Sequence, residues 1–126
     1  MSTTIQRGDI YLVDLEPIKG KEQGKTRPCV VVQNDIGNIY SPVTIIVACT
    51  SRGLDKVYPT DVLIDASETG SRSDSKVLCN QIRTVDKTRL LRKLGSVPLN
   101  KMNMIDARAT AVVTRIWKTL EDLPFR

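Results

Sequence analysis

The sequence predicts a mainly β fold: a small, barrel-like antiparallel sheet with one α-helix at its C-terminal end. Three observations carry this expectation. Five short segments rich in Val and Ile, bounded by Gly, Pro, Asn or Ser, follow one another through the first two thirds of the chain. Beyond Pro98 the apolar residues change spacing to three and four, which is the period of a helix. The chain has 126 residues, and ordinary domains hold about 100 to 150, so strands and helix are expected to form one domain over residues 1–126.

The strands are expected at Asp9 to Leu15, Pro28 to Gln33, Val43 to Thr50, Asp61 to Asp65 and Lys76 to Gln81. Between the last two, Ala66 to Ser75 (ASETGSRSDS) reads as one solvated loop, since Ser, Gly and charged residues punctuate it. Val85 to Leu90 is polar and long enough for a single turn, and a short further strand is expected near Leu94 to Val97. In the helix, Met102, Ile105, Ala109, Val112 and Ile116 form one stripe, assigned to core packing. Asn100 is the expected N-cap, and Pro124 marks the end.

Composition narrows the function classes. The longest apolar runs, Cys29 to Val32 and Val43 to Cys49, fall far short of the roughly 20 residues that span a bilayer, so no membrane association is expected. Met1 to Arg7 is polar and lacks the apolar segment of an export signal, which makes the cytoplasm the expected compartment. Cys29, Cys49 and Cys79 each sit in an apolar segment without CxxC spacing, so buried thiols are expected rather than a zinc site or a disulfide. The chain has no histidine, which removes the commonest metal ligand and the side chain that titrates near neutrality. No metal and no cofactor are expected, and any catalysis has to run on Arg, Lys, Glu, Asp, Ser, Thr or Tyr. The net charge of +5 favours an anionic partner; nucleic acid, an acidic protein and a phospholipid surface all satisfy it.

Two connections stand out. Glu16 to Arg27 (EPIKGKEQGKTR) joins two strands with two glycines and the cations Lys19, Lys21, Lys25 and Arg27. Hairpin loops usually run about two to five residues, and longer ones are often binding loops. Ser51 to Pro59 (SRGLDKVYP) adds Arg52 and Lys56. Two basic loops leaving one small sheet can frame a groove for a phosphate chain. No GxxxxGK[ST] pattern occurs, so this is not a nucleotide P-loop. With only 4% aromatic residues, and Tyr58 the best placed of them, recognition by base stacking has little to draw on.

The strings RGDIYLVDLEPIKGKEQGKTRPCVVVQND, SPVTIIVACTS and NQIRTVDKTRL, in this order and spacing, resemble the successive motifs of MazF/PemK-type toxins from Arg7 to about Leu90. The resemblance implies an SH3-like barrel, a homodimer, and an RNA groove built across the two subunits. It implies a sequence-specific, ribosome-independent and metal-independent endoribonuclease toxin acting on single-stranded mRNA, neutralised by an acidic antitoxin. The family's arginine before proline falls on Arg27, its catalytic threonine on Thr50, and the glutamate of its EQG motif on Glu22. The matched motifs and the two basic loops supply the expected RNA contacts: Lys21, Gln23, Lys25, Asn34, Ser51, Arg52, Lys56, Gln81 and Arg83. Plasmid-type relatives carry an Arg-x-Asp-Gln string where this chain reads Leu78, Cys79, Asn80, Gln81, so a mechanism using that Arg and Asp is excluded.

Metal-free RNA cleavage uses the neighbouring 2′-hydroxyl as nucleophile, which needs in-line positioning, a proton acceptor and donors for the charge developing on phosphate oxygens. Arg27 suits the last task because guanidinium binds such oxygens in a bidentate way. Thr50 is too weak an acid to act as a base, so it donates to the phosphate or orients the 2′-hydroxyl. Glu22, or water in its place, accepts the proton. Products by resemblance are a 2′,3′-cyclic phosphate and a 5′-hydroxyl. Two other readings belong to different classes: a non-catalytic toxin of the same barrel that binds DNA gyrase, hinted at by Trp117 and Phe125, and a plain RNA-binding module.

Overall fold

In the computed structural model the strands arise where Val, Ile and Cys concentrate. The described residues are 4–16, 20 and 25–114. In chain order they form β1 (Asp9–Asp14), β2 (Thr26–Val31), α1 (Asp35–Tyr40), β3 (Val43–Thr50), β4 (Asp61–Ile64), α2 (Ala66–Thr69), β5 (Ser75–Asp86), a 3-10 turn (Lys87–Arg89), β6 (Leu90–Ser96) and α3 (Leu99–Val113). The strands make one antiparallel six-stranded sheet in the order β4-β5-β3-β2-β1-β6.

Connectivity makes this sheet curl. Only the 3-10 turn joins β5 to β6, although β3, β2 and β1 lie between them in the sheet, so the sheet must bend toward one face to bring their ends together. At the opposite corner α2 approaches β6 closely. A Cβ on Gly95 would lie 2.4 Å from the Thr69 carbonyl oxygen, so that position has room only for glycine. The end strands β4 and β6 are not paired with each other, which leaves a strongly curled sheet rather than a closed ladder. The expected fold class holds: mainly β with a C-terminal helix.

Because strand side chains alternate, each face builds its own core. Ile10, Val30, Val47, Cys49, Val62, Ile64, Val77 and Cys79 pack on one face with Val97 and with Met102 and Ile105 of α3. Tyr11, Val13, Leu15, Cys29, Val31, Ile46, Ala48 and Val85 pack on the other.

Several sequence expectations need correction. The segment 66–75 is not one loop, because Asp65 caps α2 in a reciprocal box with Glu68: the carboxylate accepts from the Glu68 N–H, and the Glu68 side chain accepts from the Asp65 N–H. Hydrogen bonds from Ser67 and that N–H also hold the Asp65 carboxyl below its ordinary pKa. Helix α3 starts after Pro98 without a side-chain cap, so Asn100 lies inside the helix. Its buried stripe uses Ala111 in place of Val112, which is 38% exposed. Ile116 and Pro124 lie outside the described residues. Among the described residues no helix is long and apolar enough to cross a membrane.

Candidate nucleic-acid interface

Of the predicted site residues, the second face carries Arg27, Thr50, Gln81 and Arg83. Strands β2 and β3 pair Cys29 with Ala48, and continuing that register by two residues puts Arg27 opposite Thr50. Arg27 shares the face of Cys29, and Thr50 that of Ala48, so both extend the row of the second core toward its open end. Arg27 also pairs with Val13 of β1, and Thr50 with Lys76 of β5. Both are half-buried.

The Thr50 hydroxyl has one defined partner. Its Oγ1 accepts from the Arg52 N–H at 3.2 Å, which fixes the oxygen and leaves its proton available to donate.

Strand β5 brings Gln81 and Arg83. Between Val47↔Ile82 and Cys49↔Val77 the register slips, so Leu78 to Gln81 all lie across from Ala48. This bulge bends β5 and presents Gln81 and Arg83 on the face of Val85. Arg83 reaches across and donates from Nη1 to the Leu15 carbonyl at 2.6 Å. Arg89, which the motif pattern did not single out, donates from Nη1 to the carbonyl of Asp14 at 3.1 Å and also to that of Glu16. Together they clamp the root of the β1–β2 connection. At its far root the Leu15 N–H donates to the Lys25 carbonyl at 2.8 Å, with Lys25 at φ 58°. Lys25 is exposed, while Lys21, Glu22 and Gln23 lie outside the described residues.

Ser51, Arg52 and Lys56 are exposed on the β3–β4 connection, which leaves directly from Thr50. Asn34 is not brought to this group. It sits past the opposite end of β2 from Arg27, where its Oδ1 accepts from the Gly37 N–H and caps α1. Trp117 and Phe125, on which the gyrase alternative rested, lie outside the described residues.

The cysteines take no part. Burial pushes the thiols of Cys29 and Cys79 up to about 12 and that of Cys49 well above its ordinary value, so none offers a thiolate near neutral pH. Among the described residues no group of three or more Cys, Asp or Glu side chains could hold a metal ion. Among the described residues this face offers the guanidinium of Arg27, with that of Arg83 beside it, the oriented hydroxyl of Thr50 and the amide of Gln81.

Comparison with known proteins points the same way. Residues 6–113 match the family of PemK-like, MazF-like toxins of type II toxin-antitoxin systems. The chain is 45% identical over 102 residues to endoribonuclease EndoA of Bacillus subtilis (strain 168), covering 81% of this chain and 88% of that protein. In fold it resembles MazF from Deinococcus radiodurans, with a TM-score of 0.77, 23% identity, and coverage of 89% of this chain and 98% of the other. It also resembles an endoribonuclease in complex with its cognate antitoxin from Mycobacterial species, with a TM-score of 0.71, 24% identity, and coverage of 86% and 94%.

Proposed function

Since this chain belongs to the PemK-like, MazF-like toxins of type II toxin-antitoxin systems, we propose that it is a sequence-specific, metal-independent endoribonuclease cutting single-stranded RNA on the sheet face that carries Arg27 and Thr50. The observation behind this reading is the juxtaposition of Arg27 and Thr50 on neighbouring strands at the mouth of the second core. A relative that is 45% identical carries the endoribonuclease name.

Arg27 binds the scissile phosphate and stabilises the charge that develops on its oxygens. Thr50, its oxygen held by the Arg52 N–H, donates to the same phosphate or orients the attacking 2′-hydroxyl. Glu22, or a water molecule, accepts that hydroxyl's proton. The 2′-oxygen attacks phosphorus and the 5′-oxygen leaves, taking up a proton from water, which gives a 2′,3′-cyclic phosphate and a 5′-hydroxyl. Lys21, Lys25, Arg52 and Lys56 follow the backbone, while Gln23, Ser51 and Gln81 offer amide and hydroxyl groups to bases.

An acidic antitoxin segment would occupy the same groove and exclude RNA, because carboxylates satisfy the charges that phosphates do. A structural relative was solved with its cognate antitoxin. Homodimer formation is supported by the apolar surface around Arg7. The Arg7 N–H donates to Asp35 at 2.7 Å and its guanidinium pairs with Asp106, tying α1 to α3. Ile36, Ile39 and Tyr40 of α1 and Val113 of α3, on the two helices so joined, are each exposed by 62% or more, and apolar exposure of this extent suits an interface.

Incubating a long single-stranded RNA with the protein in EDTA tests this reading. Cutting that persists under chelation, with cyclic-phosphate ends, is expected. Loss of cutting that magnesium restores would contradict it, and binding without any cutting would favour the plain RNA-binding module.

A further inference from the structure

Lys76 is an unusual residue for its place. It lies within β5 opposite Thr50 and is only 7% exposed. Burying an ammonium group costs several kcal/mol unless it is fully partnered, and a Val or Leu would fill a strand position at no such cost. Its partners show where its charge is used. Nζ donates to the Lys56 carbonyl at 2.7 Å and the Gly53 carbonyl at 3.0 Å, pairs with Asp61 Oδ2 at 3.5 Å, and stands 5.6 Å from the centre of the Tyr58 ring.

Every one of those groups belongs to the β3–β4 connection or its exit. Asp61 continues the arrangement, since its Oδ2 also accepts from the Tyr58 N–H at 2.9 Å. Gly53 has φ +65°, and a Cβ there would stand 3.5 Å from Lys76 Nζ, so the turn that presents its carbonyl suits glycine. Arg108 of α3 adds a bond from Nε to the Pro59 carbonyl at 3.0 Å. The connection has no helix or strand; its own turns close with the Lys56 N–H on the Gly53 carbonyl at 3.1 Å and the Asp61 N–H on the Tyr58 carbonyl at 2.9 Å, and these side chains tie those turns to the sheet and to α3.

We propose that Lys76 is a positioning residue that fixes the 51–60 connection against the sheet and thereby helps determine which RNA sequence is cut. The connection leaves from Thr50, carries Arg52, Lys56 and Tyr58 outward as exposed side chains, and is held by a cation on the strand beside Thr50. Nucleotides next to a phosphate bound at Arg27 and Thr50 meet this connection, and a fixed loop accepts fewer of them than a loose one. Lys76 itself touches no RNA. The inference rests on the RNA-cleavage reading for its consequence, but not for the staple.

The test uses the full-length protein with Lys76→Met and with the double variant Lys76→Met/Asp61→Asn, which leaves neither charge buried without its partner. Two readouts are taken: amide hydrogen exchange across residues 51–60, and the map of cut sites on a long RNA. Expected are faster exchange in 51–60 with the sheet strands unchanged, and a loss of about tenfold in preference between the best and the next-best site, the scale of one charge-assisted hydrogen bond. Turnover at the best site should change much less, because Arg27 and Thr50 are untouched. Unchanged loop exchange in a folded variant overturns the staple. Faster exchange with an unchanged cut-site map overturns the link to specificity. If the wild-type protein cuts no RNA, the cleavage reading and the specificity link fall together, while exchange still decides whether Lys76 holds the loop.

Discussion

The two faces of the single sheet make the same kind of core and then diverge. One face packs its apolar cluster under α3: Ile10, Val30, Val47, Val62 and Val77 close on Met102 and Ile105. The other begins alike, with Val13, Cys29, Val31, Ile46 and Ala48, but its rows run out into Arg27, Thr50 and Arg83. Both faces are held by the same backbone ladders, so a polar residue two positions beyond a core residue inherits that residue's rigidity. A charge-stabilising group held by a strand is already in place when the reaction begins, and this is the condition under which such groups act strongly. The basic connections supply what a strand cannot, reach and adaptability, and Lys76 and Arg108 restrain one of them from the sheet and the helix.

This division can be broken from either side. The largest effect expected on the helix-covered face is on stability: Ile105→Ala should lower the unfolding free energy by about 2–5 kcal/mol, because Ile105 has no solvent exposure. The cleavage rate per folded molecule should stay near wild type, and a folded Ile105→Ala protein unable to cut would show that the faces are coupled. Smaller effects are expected from the loop. Replacing Arg52 or Lys56 by Ala should each flatten the salt dependence of RNA binding by about 0.7 in slope and weaken an acidic antitoxin peptide as well. A stable ternary complex of protein, uncleavable RNA and peptide, with RNA affinity unchanged, would place the antitoxin elsewhere.

How far the sequence could be read depended on whether the deciding contacts were local. Val43–Thr50 was delimited correctly because a run that is apolar but for Thr44 and Thr50 ends at turn residues on both sides. Strand β5 runs on to Asp86, beyond the expected Gln81; its polar second half is held as a strand by pairing with β3, which periodicity does not register. Helix α1 contains Gly37 and two isoleucines, poor helix formers. It stands on the Asn34 cap and on buried Asn38, whose side chain bonds Gln33 and Thr44. Helix α2 was missed, the segment being read as a loop, although Asp65 and Glu68 have capping-box spacing. In the site, ordered motifs singled out Arg27 and Thr50, but only the β2–β3 register makes them neighbours. The clamp of Arg83 on Leu15 links residues 68 positions apart and has no local signature. Lys76 stands second in β5, just ahead of Val77, Leu78 and Cys79, and nothing local marks it, because its partners are carbonyls 20 and 23 residues away.

The central claim is that Arg27 and Thr50 act as one unit on one phosphate, and single-turnover cleavage by Arg27→Ala, Thr50→Val and the double variant tests it most directly. The account predicts a loss of roughly 10² to 10³ for Arg27→Ala, with thermal unfolding almost unchanged. In the double variant little further loss is expected, because groups serving the same transition state are strongly non-additive. Wild-type turnover in Arg27→Ala, or losses in the double variant that simply multiply, would contradict it and move the chemistry away from this face of the sheet.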